Sequence, residues 1–216
     1  MSARSEPADP AAAGDKLQHA MQRHRLVFGL AGRSGAGKTT LAEALIRQIS
    51  DRGLVISSIK HAHHEMDPDT PGKDSWRHRR AGVRQMLISS PWRRVLFTET
   101  PDGKEAGLDS LLNALDPCDC VLVEGFKAIA FPKLEIWREA SGEPPLYRDH
   151  PGIRAIATDS PDAKALAGCR LPKLDLNNAE AICDFILTDF AANIFPAGET
   201  GPEKSKQAGG PTASSA

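Results

Sequence analysis

Eight consecutive residues, Gly32-Arg33-Ser34-Gly35-Ala36-Gly37-Lys38-Thr39, set glycines, an amine and a hydroxyl at the spacing G-x-x-x-x-G-K-T. That combination suits a chain of phosphates. Glycines let the backbone curl until successive N–H groups aim into one cavity. A helix beginning there adds roughly half a positive charge at the same spot. Lys38 is then placed to reach the β- and γ-phosphates of a nucleotide, and the Thr39 hydroxyl to ligate Mg²⁺. Gly32, Ser34, Gly35, Ala36, Gly37, Lys38, Thr39 and Thr40 are therefore the expected nucleotide-binding residues, with Lys38 also catalytic. A second group, Glu124, ends the apolar run Val121-Leu122-Val123 and is followed by Gly125. An acid at the end of a strand beside a phosphate-binding loop holds the Mg²⁺ shell or orients water. Glu124 is thus expected to be catalytic and, with Thr39, to serve the metal.

Two further constellations carry chemistry. Lys60-His61-Ala62-His63-His64-Glu65-Met66-Asp67 gathers three histidines and two acids just after a strand, where α/β sites lie. These residue types suit metal ligation or contact with an anionic ligand. His63 and His64 are adjacent, so only one of them pairs with His61 on an extended segment. From Lys73 to Arg94, seven Lys and Arg residues stand against one acid, Asp74. Arginine forks suit phosphate or carboxylate, and Trp76 offers a flat face for a ring. A second-ligand or partner site is therefore expected from His61, His63, His64, Asp67, Lys73, Asp74, Trp76, Arg77 and Arg79. An arginine from this segment, Arg77, Arg79 or Arg80, would add charge to the nucleotide site in cis or across a dimer.

The elements that must position these groups are legible from periodicity. Leu26–Leu30 reads as a short buried strand. Thr40–Ile49 reads as a helix with Leu41, Leu45 and Ile49 on one face. Gly53 is a C-terminal stop, and Leu54–Lys60 a second strand, giving a right-handed β-α-β unit with parallel strands. Lys73 to Ala81 predicts a short helix. The runs Arg84–Ser89 and Arg93–Thr98 predict a strand pair around Ser89-Ser90-Pro91-Trp92. Leu108–Leu115 is helical in pattern, Lys133–Arg138 alternates as a strand does, Ile153–Ala157 is a further strand, Leu174–Leu176 is short, and Ala179–Phe190 predicts a final helix. Strands alternating with helices make an α/β protein. The fold class is a P-loop NTPase, a mostly parallel sheet flanked by helices, with a β-hairpin extension.

Composition bounds the rest. The chain has 216 residues, a net charge of -1 and 40% hydrophobic residues, enough for one domain with a core and without a global bias toward nucleic acid. Cys118, Cys120, Cys169 and Cys183 form no CxxC pair and no zinc spacing, and read as reduced packing residues of a cytoplasmic protein. No apolar run reaches the ~18 residues of a membrane span, and the start of the chain has no secretory h-region. Residues 1–23 and 194–216, rich in Ala, Gly, Pro and Ser, are expected to be disordered tails around a P-loop domain over 24–193.

Several segments together resemble the molybdopterin-guanine dinucleotide biosynthesis adapter proteins, the MobB family. They are G-R-S-G-A-G-K-T-T-L at Gly32–Leu41, I-K-H-A-H-H at Ile59–His64, and D-x-D-x-P-G-K-D-S-W-R-H-R at Asp67–Arg79. A-G-V at Ala81–Val83, L-V-E-G-F-K at Leu122–Lys127, P-K-L-E at Pro132–Glu135 and A-I-A-T-D at Ala155–Asp159 complete the likeness. The resemblance implies a dimeric GTP-binding protein with weak GTPase activity. It also implies the partners, a molybdopterin guanylyltransferase and molybdopterin or its molybdenum form. GTP and Mg²⁺ are the implied cofactors. No N-K-x-D motif is present, so guanine specificity follows from the resemblance alone. Asp159, at a strand's C-terminal end, is the residue expected to accept N–H bonds from the guanine edge. It equally suits the turn Asp159-Ser160-Pro161. Two rival readings fit the same motifs. One is a small-molecule kinase with the basic segment as its lid. The other is a metal-delivery GTPase with His61, His63 and His64 as ligands.

Overall fold

In the computed structural model, residues 10–62, 66–100, 103, 105–150 and 152–191 are described. The chain divides into two compact units, one formed by the segments up to His61 and from Leu108 onwards, the other by Ala62–Gly107.

The larger unit is a six-stranded sheet. Its strands are β1 (Leu26–Ala31), β2 (Ile56–Lys60), β5 (Cys120–Glu124), β6 (Lys133–Trp137), β7 (Ile153–Thr158) and β8 (Lys173–Asp175), in the order β2-β5-β1-β6-β7-β8. Every pairing is parallel. All C-terminal strand ends therefore lie along one edge, where doubly wound sheets bind ligands. The period-2 alternation of strands sorts the core. Leu26, Phe28 and Leu30 of β1, with Cys120 and Leu122 of β5, pack on one face against helix α2 (Lys38–Asp51) and helix α5 (Ala179–Phe185), which continues as a π-helical turn over Ile186–Phe190. Val27, Val121 and Val123 point to the other face, against helix α4 (Leu108–Asn113). The expected α2 stripe of Leu41, Leu45 and Ile49 is buried, each side chain worth roughly 1.5–3 kcal/mol.

One expectation changes. The N-terminal segment was expected to be disordered over 1–23, yet Pro10–Met21 forms helix α1. Proline suits the first helical position. Leu17, Ala20 and Met21 share a face at helical spacing and pack into the second core beside Leu108 and Leu112. Alanine-rich composition signals disorder only where no partner face exists. The tail expected over 194–216 lies outside the described residues. The strand expected over Lys133–Arg138 is present as Lys133–Trp137, and all five of its residues are buried. The strand sits between β1 and β7 with both faces covered, as parallel strands are. The polar members survive by finding partners. Lys133 donates to the Ile129 carbonyl and lies 3.8 Å over the Phe131 ring, while burial pushes its amine down to about 8. Glu135 accepts the backbone N–H groups of Leu146 and Tyr147, and burial raises its carboxyl above the usual range.

The smaller unit contains helix α3 (Asp74–Arg80) and an antiparallel hairpin of β3 (Gln85–Ser89) and β4 (Arg94–Thr98), as the strand-pair reading expected.

Candidate functional site

The site grows from the centre of the sheet. β1 runs straight into the glycine loop and α2 follows, so the loop is suspended at the C-terminal edge. Gly32, Gly35 and Gly37 have φ of 153°, 75° and 101°. Gly32 is the tightest: a Cβ there would stand 2.7 Å from the Ile136 carbonyl oxygen, so only glycine lets the loop lie against β6. Gly37 takes the N-cap position of α2 in the left-handed region and has no side chain with which to cap it. The first-turn amides of Lys38, Thr39 and Thr40 open toward the loop at the positive end of the helix. Lys38 folds back over this loop, its Nζ donating to the carbonyls of Gly32 at 3.1 Å and Arg33 at 2.8 Å. Thr39 is exposed at the start of α2, and Ala36 is buried beneath the loop.

Glu124 stands next to this loop because β5 is the neighbour of β1, with Leu30 paired to Glu124. On its other side Lys60 of β2 pairs with Glu124, and the His61 N–H donates to the Glu124 carbonyl at 2.9 Å. The chain then turns through two left-handed residues, Gly125 at φ 106° and Phe126 at φ 49°. A Cβ on Gly125 would sit 2.5 Å from the His61 Cβ. The Phe126 ring stacks on His61 at 4.6 Å. A non-glycine residue at positive φ is strained, and such strain collects where structure must be over-determined. Burial lowers the Lys38 pKa, Lys127 lowers it further, Glu124 opposes them and Lys60 adds to the lowering. Two amines and one carboxylate thus act on the Lys38 charge, a setting that suits a polyanion able to separate like charges.

The donor set fits Mg²⁺ with a nucleoside triphosphate. Thr39 and Glu124 offer hard oxygens, and the loop amides with Lys38, Lys60 and Lys127 offer donors to phosphate. Among the described residues no group of three or more His, Cys, Asp or Glu side chains is placed to hold a metal ion. His63 and His64 lie outside the described residues, so the histidine cluster of the sequence reading is represented by His61 alone.

On the opposite side of the loop sits a residue the sequence reading missed. Arg138 leaves the end of β6, its Nε donating to the Ala36 carbonyl at 3.3 Å and its guanidinium to Asp159 at 2.8 Å. Asp159 follows β7, two strands from β1, and its other carboxylate oxygen accepts from the Ser160 hydroxyl at 3.0 Å. Sequence pattern offered little signal: Arg138 closes Lys133-Leu134-Glu135-Ile136-Trp137, which already carries two charges, whereas Glu124 closes the apolar Val121-Leu122-Val123. Lys60 and Lys127 lay inside recognised segments but carried no assigned role.

In the smaller unit the basic residues separate by function. Arg79 donates to Glu99 at 2.6 Å, Asp67 at 2.7 Å and Asp69 at 3.1 Å, with its guanidinium 4.6 Å over the Phe97 ring. These contacts raise its pKa, the Asp67 bond foremost, and the Arg79 bond lowers that of Asp67. Arg79 therefore ties the Asp67–Asp69 loop and β4 to α3, and its fork is turned inward rather than offered to an anion. Arg77 is exposed and only loosely paired with Asp74 at 3.9 Å. Trp76 carries Arg80 over its ring at 5.3 Å, and Lys73 is the N-cap of α3. Lys73, Arg77 and Arg80 are exposed.

Comparison with known proteins gives the relatives of this chain. The family described as molybdopterin guanine dinucleotide synthesis protein B, MobB, matches residues 27–159. The molybdopterin-guanine dinucleotide biosynthesis adapter protein of Escherichia coli strain K12 is 39% identical over 165 residues, covering 74% of this chain and 91% of the relative. That of Haemophilus influenzae is 40% identical over 162 residues, covering 74% and 86%. The crystal structure of Bacillus subtilis MobB superposes with a TM-score of 0.58 at 22% identity, covering 76% of this chain and 98% of that one, which shows the shared P-loop NTPase fold.

Proposed function

Because this chain belongs to the MobB family of molybdopterin guanine dinucleotide biosynthesis, we propose that it is a GTP-binding adapter that assists the guanylyltransferase joining GMP to molybdopterin. The observation that carries the nucleotide reading is the loop itself. Lys38 lies folded on the carbonyls of Gly32 and Arg33 beneath an uncapped helix start, with Glu124 beside it across β1 and β5. On binding, the β- and γ-phosphates replace those carbonyls as acceptors for Lys38, and the first amides of α2 hold phosphate oxygens. Thr39 and Glu124 would hold Mg²⁺, which supplies charge neutralisation between the terminal phosphates. Glu124 is the group available to orient a water, and Lys60 and Lys127 add charge in cis. Hydrolysis is slow, in keeping with a site whose role is to hold nucleotide and engage a partner. Asp159 reads the guanine edge. The smaller unit, through Lys73, Trp76 and Arg77, meets molybdopterin or an acidic face of the transferase, and the protein works as a cytoplasmic homodimer.

Calorimetric titration of GTP and ATP with Mg²⁺ tests this reading. The protein is expected to prefer GTP. Lys38→Ala is expected to weaken nucleotide binding by roughly ten- to a hundredfold, the worth of a charge-assisted phosphate contact, with an unchanged circular dichroism spectrum. Equal affinity for ATP would refute the guanine reading, and an indifferent Lys38→Ala would refute the site.

A further inference from the structure

Arg138 links two parts of the nucleotide site that the sequence keeps far apart. Trp137 of β6 is paired with Thr158 of β7, so Arg138 and Asp159 are each one step past paired positions on adjacent parallel strands. The guanidinium spans the gap between them and the phosphate loop. One edge holds the Ala36 carbonyl at 3.3 Å, another holds Asp159 at 2.8 Å, and the position of a Cβ on Gly37 would be 3.8 Å from Nη2. The Arg138 backbone is itself pinned, its carbonyl accepting the Ser141 hydroxyl at 2.7 Å. Asp159 is gripped from both sides, by Arg138 on Oδ2 and Ser160 on Oδ1. An ionised carboxylate has about four lone-pair sites, so roughly half remain for a ligand.

We propose that Arg138 is a positioning residue that fixes the Asp159 carboxylate in the orientation that reads a purine presenting adjacent ring N–H and amino donors, and that it couples this reading to the phosphate loop through Ala36. The proposal rests on Asp159 as the base-reading residue. Without the guanidinium, Asp159 is a partly exposed carboxylate on a loop, held only by the hydroxyl of its neighbour Ser160. With it, the two acceptor directions are set before the base arrives, which lowers the ordering cost of binding. The ion pair itself is too exposed to matter for folding, its side chains being 40% and 28% accessible. Its effect belongs to ligand discrimination.

Dissociation constants for the Mg²⁺ complexes of GTP, ITP and ATP separate the alternatives, because ITP keeps the ring N–H and lacks the amino group. The wild type, Arg138→Ala, Arg138→Lys, Asp159→Ala and the double variant Arg138→Ala/Asp159→Ala are compared. Arg138→Ala is expected to reduce the GTP-over-ITP preference about five- to tenfold while ATP affinity stays within about twofold. Arg138→Lys, which keeps the charge toward Asp159, is expected to recover part of the preference. The double variant should discriminate no worse than Asp159→Ala alone, since the two residues act as one unit. Equal losses for all three nucleotides in Arg138→Ala would assign the residue to sugar or phosphate and overturn the proposal. So would unchanged selectivity in Arg138→Ala beside a lost selectivity in Asp159→Ala, which leaves the base reading standing. Unchanged GTP-over-ATP selectivity in Asp159→Ala would instead remove the base reading itself, and the proposal with it.

Discussion

Gly125→Ala is the sharpest probe of how Glu124 is held. The added Cβ would lie 2.5 Å from the His61 Cβ, about 1.0–1.5 Å inside the contact distance of about 3.5–4.0 Å for two carbons. His61 cannot swing its Cβ aside, because that atom moves with a backbone whose N–H is bonded to the Glu124 carbonyl and whose ring is stacked on Phe126. The backbone at 125 must also hold φ 106°, which costs an alanine roughly 1–2 kcal/mol. Overpacking adds about 1–3 kcal/mol. Gly168→Ala is an internal control: its φ is 77°, but nothing lies within 4 Å of the new Cβ, so it meets only the conformational part. In urea unfolding, Gly125→Ala is expected to lose roughly 2–5 kcal/mol and Gly168→Ala roughly 1–2 kcal/mol. The difference is the steric contribution. Displacement of the β5 end should also slow GTP hydrolysis in Gly125→Ala and leave it intact in Gly168→Ala. Equal stability losses with normal hydrolysis in both variants would show that the loop yields freely, and would refute the view that the close His61 contact sets the position of Glu124.

Three further outcomes follow from the geometry. Glu124→Gln is expected to slow hydrolysis more than it weakens GTP binding, because loop amides and Lys38 still hold the phosphates; single-turnover rates beside calorimetry would show equal losses if the role were wrong. Arg79→Ala removes the common partner of Asp67, Asp69 and Glu99 and should open residues 62–107 to limited proteolysis, whereas Arg77→Ala should not; equal resistance in both would dismiss the strut. His24 is buried with Nε2 facing the Leu112 carbonyl at 3.2 Å, and burial holds its pKa below 6.5. The unfolded chain then takes up a proton that the folded chain refuses, so this contribution is complete above about pH 6.5 and declines as pH falls through the folded pKa. The slope is at most about 1.4 kcal/mol per pH unit. His24→Gln should flatten the decline in melting temperature between pH 7 and 5, and an unchanged slope would dismiss it.

The sequence determined by itself whatever is encoded in contiguous residues. The phosphate loop is one such feature, because its shape needs glycines and a following helix within one short segment. The buried stripe of α2, the hairpin of β3 and β4, and the acid closing β5 are others, all governed by local periodicity and turn chemistry. Tertiary structure alone decided the strand order, which inserts β5 between β2 and β1 and sets β6 and β7 on the far side. That order, and no spacing in the chain, sets Lys60 beside Glu124 on one flank of the loop and Arg138 with Asp159 on the other. It also explains why the alternating residues of β6 are all buried: alternation gives one wet face only at a sheet surface, and Lys133 and Glu135 lie in its interior. Arg79 makes the same point in the smaller unit. Its side chain reads as a free fork until the fold brings Asp67, Asp69 and Glu99 to it, since an ion pair depends on distance in space and composition records only distance along the chain.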